Sequence, residues 1–124
     1  MAWVALSAAF PGAWATFATD SFHRSFPLGG PGWVAPLGPA SSHLTADVGA
    51  FYLAFALLFS WATLRPSREL VLPTVGAWTL FSALHFGWHA ANTAPFGTGD
   101  AVAQLVALGA VLVLPFLTVR LLPR

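Results

Sequence analysis

Histidine and aspartate side chains recur at a four-residue spacing in two apolar segments of the chain. His43 and Asp47 form one pair, and His85 and His89 form another. Because residues four apart lie on the same face of an α-helix, each pair can direct two polar groups toward one point. Imidazole and carboxylate groups can bind a metal ion, hydrogen-bond a carbonyl group or carry a proton.

The second pair belongs to a longer polar face. Ser82, His85, His89 and Asn92 follow a 3-4-3 spacing, which keeps all four on one side of a helix. Polar groups are costly in hydrocarbon and usually face a bundle interior or a wet cavity. We therefore expect a single outward-facing polar pocket. Other polar pairs predicted at the same depth are Thr16 with Asp20, and Asp100 with Gln104.

Several ligands suit such a pocket. The first is a divalent metal ion held by His43, Asp47, His85 and His89. The second is a quinone or another lipophilic ligand bound by the same residues together with Asn92. The third is haem between His43 and one of the two later histidines. In the remaining interpretation these side chains are only hydrated or hydrogen-bonded between helices.

The glutamate of a metalloprotease helix is missing beside the two later histidines, and no complete catalytic signature is present. Whether the protein is an enzyme stays open at this stage. The chain has no cysteine, which excludes disulfides, thiolate nucleophiles and zinc–thiolate sites.

The composition places these residues in a membrane protein. Apolar residues make up 57% of the 124 residues and charged residues only 7%, whereas soluble domains carry roughly 25% charged residues. So few charges cannot cover a water-facing surface, so lipid is the expected solvent. The net charge of +1, without any lysine, argues against nucleic acid as a partner.

Four segments have the roughly 20 apolar residues that a transmembrane helix needs. They cover about 2–21, 43–64, 69–92 and 99–121. We expect an all-α, polytopic membrane four-helix bundle in which residues 1–124 form a single domain. The N-terminal segment has the length of a spanning helix rather than of a signal peptide.

Helix starts are marked by residues that cap a first turn. Ser41 or Ser42 precedes the second segment, Ser67 precedes the third and Thr98 the fourth. Glycine and proline dominate the stretch between the first two segments, residues 24–41, which predicts a loop rather than a helix or a strand. Within it, Trp33 is the expected interfacial anchor.

The arginines predict the orientation. Arg65, Arg68, Arg120 and Arg124 fall on one side of the membrane, and Arg24 falls on the other. The positive-inside rule then places both termini in the cytoplasm and the Gly/Pro loop outside. The predicted localisation is the cell membrane, with several passes.

Three motifs resemble those of small bacterial four-helix membrane proteins, chiefly actinobacterial. They are the run HLTADVGAFYLAF at 43–55, the loop from Phe26-Pro27 through Trp33-Val34 to Gly38-Pro39, and His85 with His89. The resemblance covers roughly residues 20–92. More distantly the architecture is similar to the DoxX-like group, some of whose members work with quinones or redox partners. It implies a four-helix bundle, and no reaction carries over residue by residue.

The predicted function is binding of a metal ion or a lipophilic redox ligand such as quinone in the polar pocket. The protein would then be a membrane component of a redox or stress-related system. One alternative is a non-catalytic accessory subunit that packs against a larger membrane protein complex. A weaker alternative is a small oligomeric transporter. The expected partners are the lipid bilayer and either another membrane protein or further copies of the chain.

Overall fold

The computed structural model describes residues 1–28 and 32–120, and this part of the chain is helical with no strand. A single 3-10 turn covers Ala35–Leu37. The α-helices in chain order are α1 (Ala2–Phe17), α2 (Thr19–Ser25), α3 (Ser42–Leu64), α4 (Arg68–Ala91) and α5 (Thr98–Val119). Of these, α3, α4 and α5 are long and apolar enough to cross a membrane. The centre of the predicted loop, residues 29–31, and the predicted helix end at 121 lie outside the described residues.

The three long helices begin close to where the sequence predicts. The Ser41 hydroxyl accepts a hydrogen bond at 3.4 Å from the backbone N–H three residues on, and Ser67 does the same at 3.2 Å. Both predicted caps are therefore confirmed. The cap predicted at Thr98 is wrong, because Gly97 precedes α5 and Thr98 is already its first residue, with no side-chain cap.

The first predicted segment is not one continuous helix. Ala18, with φ −142° and ψ 55°, ends α1 and separates it from α2. The 16 residues of α1 are about 24 Å long at 1.5 Å per residue, which is less than the roughly 30 Å of a bilayer's hydrocarbon core. The predicted single helix over 2–21 is thus corrected to a shorter α1 followed by a separate α2.

Side-chain contacts across this break explain the bend. The Trp14 indole N–H donates to the Ser21 hydroxyl at 3.1 Å. The Trp14 ring also meets Phe22 and Phe26 edge-on, with centroids 5.9 and 6.1 Å away. Aromatic pairs in this geometry add to the free energy of burial. A straight helix would carry Phe22 and Phe26 away from Trp14, so the bend preserves these contacts.

The packing of α1 against α3 depends on two glycines. A Cβ atom on Gly49 would lie 2.5 Å from the Thr16 hydroxyl oxygen and 2.6 Å from the Thr16 backbone nitrogen. A Cβ atom on Gly12 would lie 3.0 Å from the Gly49 carbonyl oxygen. Small residues let helix backbones approach closely, which drives association where lipid removes the hydrophobic advantage.

The apolar core lies toward the end of the bundle where α1 and α4 begin and α3 ends. Val4, Phe59 and Val71 are completely buried there, and Trp78 is 1% exposed. The Trp78 ring meets Phe59 edge-on at a centroid distance of 5.5 Å. Interdigitated aromatic and branched side chains therefore join α1, α3 and α4 at this end.

A proline in α5 explains how α4 and α5 are joined. Pro115 has no backbone N–H, so the Val111 carbonyl four residues earlier lacks its usual helical partner. The Trp78 indole N–H donates to that carbonyl oxygen at 2.8 Å. An unpaired backbone group is costly in hydrocarbon. This bond therefore gives the Val111 carbonyl oxygen a partner, and it also fixes the register of α5 against α4.

Gly49→Ala tests the close approach of α1 and α3. The added methyl group must displace the Thr16 backbone, and overpacking of this kind costs about 1–3 kcal/mol, so we expect Tm in detergent to fall by about 5 °C or more. Gly76→Ala is the matched control, because a Cβ atom there has no neighbour within 4 Å. Equal Tm values for the two variants would contradict the glycine contact.

Trp78→Phe tests the bond to the proline-freed carbonyl. Loss of the indole N–H leaves the half-buried Val111 carbonyl oxygen unpaired, at a cost of about 1–3 kcal/mol in addition to lost packing. In a Pro115→Ala background the restored backbone N–H satisfies the same oxygen, so Trp78→Phe should cost less there. The free energies of unfolding of the wild type, the two single variants and the double variant give the coupling energy between Trp78 and Pro115. Equal losses in the free energy of unfolding in both backgrounds would show that the bond does not stabilise the protein.

Candidate functional site

Two antiparallel helices carry the most deeply buried polar side chains at the end of the bundle opposite the core. Ser82, His85 and His89 lie on one face of α4 and Gln104 lies on α5, and these four residues are called the polar seam below. The His89 Nδ1–H donates to the Gln104 side-chain oxygen at 3.0 Å. This bond and the bond from Trp78 to α5 hold the two helices in one register.

Two atoms of the polar seam are buried without a partner. Ser82 and Gln104 are each 4% exposed. Neither the Ser82 hydroxyl nor the Gln104 amide nitrogen has a hydrogen-bond partner among the described residues. A buried group left unpaired costs about 1–3 kcal/mol, and native proteins rarely retain one without a reason. The polar seam therefore has unused hydrogen-bonding capacity.

The histidine rings are positioned by aromatic contacts. The His85 ring stacks on Phe81 with a centroid distance of 5.6 Å and an angle of 11° between the planes. The His89 ring meets His85 edge-on at 4.7 Å. Phe81 in turn packs against Tyr52 of α3 at 5.3 Å. The aromatic interface between α3 and α4 thus sets the position of His85.

The α3 pair lies elsewhere. The His43 Nε2 and Asp47 Oδ2 atoms are 3.4 Å apart, and the two side chains are 84% and 61% exposed. No group of three or more His, Cys, Asp or Glu residues that could hold a metal ion occurs in residues 1–28 and 32–120. The structure does not bring this pair together with His85 and His89. Binding of a metal ion by these four residues stays a prediction.

The rotation of α3 gives the reason. At about 100° per residue, His43 and Asp47 lie roughly 120–160° around the helix from Gly49. Gly49 faces α1, and Phe55 on another face of α3 meets Trp78 of α4 at 5.1 Å. Because these two faces are occupied, the His43 and Asp47 side chains at the start of α3 point away from both α1 and α4.

The predicted ligand Asn92 has a structural contact of its own. Its side-chain N–H donates to the Trp88 carbonyl at 2.8 Å and satisfies a backbone group at the end of α4. Ser82 and Gln104 were not among the predicted binding residues. Their signals were present in the sequence as the 3-4-3 spacing on α4 and the shared depth on α5.

The Gly/Pro loop is attached to the same end of the bundle. The Trp33 indole N–H donates to an Asp100 carboxylate oxygen at 3.2 Å, which ties the loop to the start of α5. The His23 Nε2–H donates to the Gly38 carbonyl at 3.1 Å, which ties it to α2. Whether Trp33 also anchors the loop in a lipid interface stays a prediction.

Comparison of the chain with protein-family models gave no match, and comparisons with curated proteins and with solved structures gave none either. The resemblance to DoxX-like and related small membrane proteins therefore stays a prediction.

Proposed function

We propose that the protein is a polytopic membrane protein whose polar seam binds the polar head of a lipophilic redox ligand, with a quinone as the best fit. The observation that carries this proposal is the pair of buried, unpartnered atoms, the Ser82 hydroxyl and the Gln104 amide nitrogen. A quinone carbonyl oxygen accepts hydrogen bonds from both kinds of donor. Such a ligand would recover the free energy that the unpaired groups cost.

The chemistry of the polar seam favours a hydrogen-bonding ligand over a metal ion. A metal ion needs lone pairs, whereas an amide N–H donates only. His85 offers a ring that can donate or accept a hydrogen bond, and its stack on Phe81 adds a flat apolar surface. Ligand pockets commonly combine apolar walls with a few directed polar groups.

The surroundings suit a ligand that arrives through lipid. Large apolar side chains near the polar seam are exposed, including Leu84 at 69% and Trp88 at 49%. A lipid-soluble molecule can reach such a surface without leaving the hydrocarbon. The role proposed for the protein is that of a membrane component in a redox or stress-related system.

We further propose that α1 spans the membrane together with α3, α4 and α5, with both termini in the cytoplasm. The Thr118 hydroxyl oxygen lies 3.4 Å from the Met1 sulfur, so α1 begins where α5 ends. Arg65, Arg68 and Arg120 lie at that end, as the positive-inside rule requires of a cytoplasmic face. Local thinning of the bilayer accommodates the short α1.

Reporter fusions test this topology. A reporter active only in the cytoplasm should work when fused after Arg124, and a reporter active only outside should work when inserted after Pro39. The physical reason is the excess of arginine at the end that carries both termini. The reverse pattern would refute the orientation. A reporter fused before Met1 tests the α1 span, and its working only outside the cell would refute four spans.

Variants of the polar seam test the ligand. A short-chain benzoquinone added to the purified protein should raise the Tm of the wild type. In Ser82→Ala and Gln104→Leu, quinone affinity should fall by about tenfold or more, because each loses one donor to the ligand. Without ligand, Ser82→Ala should keep or raise its Tm, since the hydroxyl has no described partner to lose and the cost of burying it unpaired is removed.

Ser60→Ala is the matched control, because Ser60 is an exposed serine on α3. It should bind the quinone as the wild type does. If no quinone changes the Tm of the wild type, or if Ser82→Ala binds undiminished, the proposal fails. Tight uptake of zinc, copper or iron(II) that weakens in acid and is lost in His89→Ala would instead support a metal site.

A further inference from the structure

An open surface cavity lies at the opposite end of the bundle from the polar seam, beside the turn between α3 and α4. It has a volume of about 590 Å³, and its lining residues are Trp61, Arg65, Pro66, Ser67, Glu69 and Leu70. The turn joins two membrane-length helices. Its cavity therefore lies at the depth where a helix end meets lipid headgroups.

The charges around this cavity have an unusual arrangement. Arg65 and Glu69 both line it, yet the structure shows no ion pair between them in the described part of the chain. Both side chains are exposed. One cation and one anion that face a common space without meeting leave room for a ligand that carries both charges. The Ser67 hydroxyl is already engaged at the start of α4.

We infer that this cavity binds the headgroup of a zwitterionic phospholipid, with phosphoethanolamine as the matching chemistry. The phosphate group pairs with the Arg65 guanidinium, whose planar fork suits phosphate oxygens. The ammonium group pairs with the Glu69 carboxylate. The Trp61 ring, exposed beside the cavity, supplies the amphipathic surface typical of membrane interfaces. Leu70 adds an apolar wall toward the acyl chains.

An anionic headgroup fits less well. Phosphatidylglycerol has the same phosphate group to pair with Arg65 but no ammonium group to pair with Glu69, so the repulsion between phosphate and carboxylate is offset less than it is with phosphatidylethanolamine. Choline carries a positive charge but has no N–H to donate to the carboxylate. The lining therefore predicts the preference order phosphatidylethanolamine, then phosphatidylcholine, then phosphatidylglycerol. This inference is independent of the ligand proposed for the polar seam.

Native mass spectrometry of the full chain in detergent, with each lipid titrated separately, measures this preference. We expect phosphatidylethanolamine to bind with the highest affinity. Arg65→Gln should weaken its binding by about threefold or more, which is the scale of an exposed ion pair. Glu69→Gln should weaken phosphatidylethanolamine to a similar extent but strengthen phosphatidylglycerol, because it removes the repulsion.

Arg120→Gln is the matched control, since it makes the same charge change at the same end of the bundle but does not line the cavity. It should leave the lipid preference unchanged. A preference for phosphatidylglycerol in the wild type, or equal effects of Arg120→Gln and Arg65→Gln, would overturn the inference. Free O-phosphoethanolamine that binds as tightly as the lipid would overturn the assignment to a membrane lipid. Circular dichroism checks that each variant keeps its helices.

Discussion

The glycine contact between α1 and α3 determines how α3 is rotated, and the other contacts of α3 follow from that rotation. With Gly49 against the backbone of Thr16, the aromatic face of α3 meets Trp78 and Phe81 of α4. The His43 and Asp47 side chains at the start of α3 are then left exposed. A single close approach of two backbones therefore decides which groups in this chain can meet and which remain apart.

The pair formed by α4 and α5 shows how a membrane protein handles polar atoms. Near the core, Pro115 frees a carbonyl group and Trp78 satisfies it, so a helix defect becomes an interhelical hydrogen bond. In the polar seam the matching is incomplete, because Gln104 uses its oxygen on His89 and leaves its nitrogen unpaired. The first arrangement leaves no polar atom unpaired, while the second leaves hydrogen-bonding capacity unused.

Most of the helical fold could be predicted from local signals. Long apolar runs mark α3, α4 and α5, and Ser41 marks one helix start. The break at Ala18 could not be predicted, because no glycine or proline lies beside it and the contacts that bend the chain are tertiary. For the site, equal depth grouped His43 with His85, but depth along a helix says nothing about rotation around its axis. That rotation depends on the glycine contact, which no local pattern reveals.

The hydrogen bond from Trp33 to Asp100 joins the loop that follows α2 to the start of α5. The loop leads directly into α3, so this bond links the packed helices α1 and α3 to the pair α4 and α5 at the end where the apolar core is absent. It is exposed to competition from water, and it is weaker than a buried bond for that reason. Separation of α1 and α3 from α4 and α5 at this end breaks the hydrogen bond between Trp33 and Asp100.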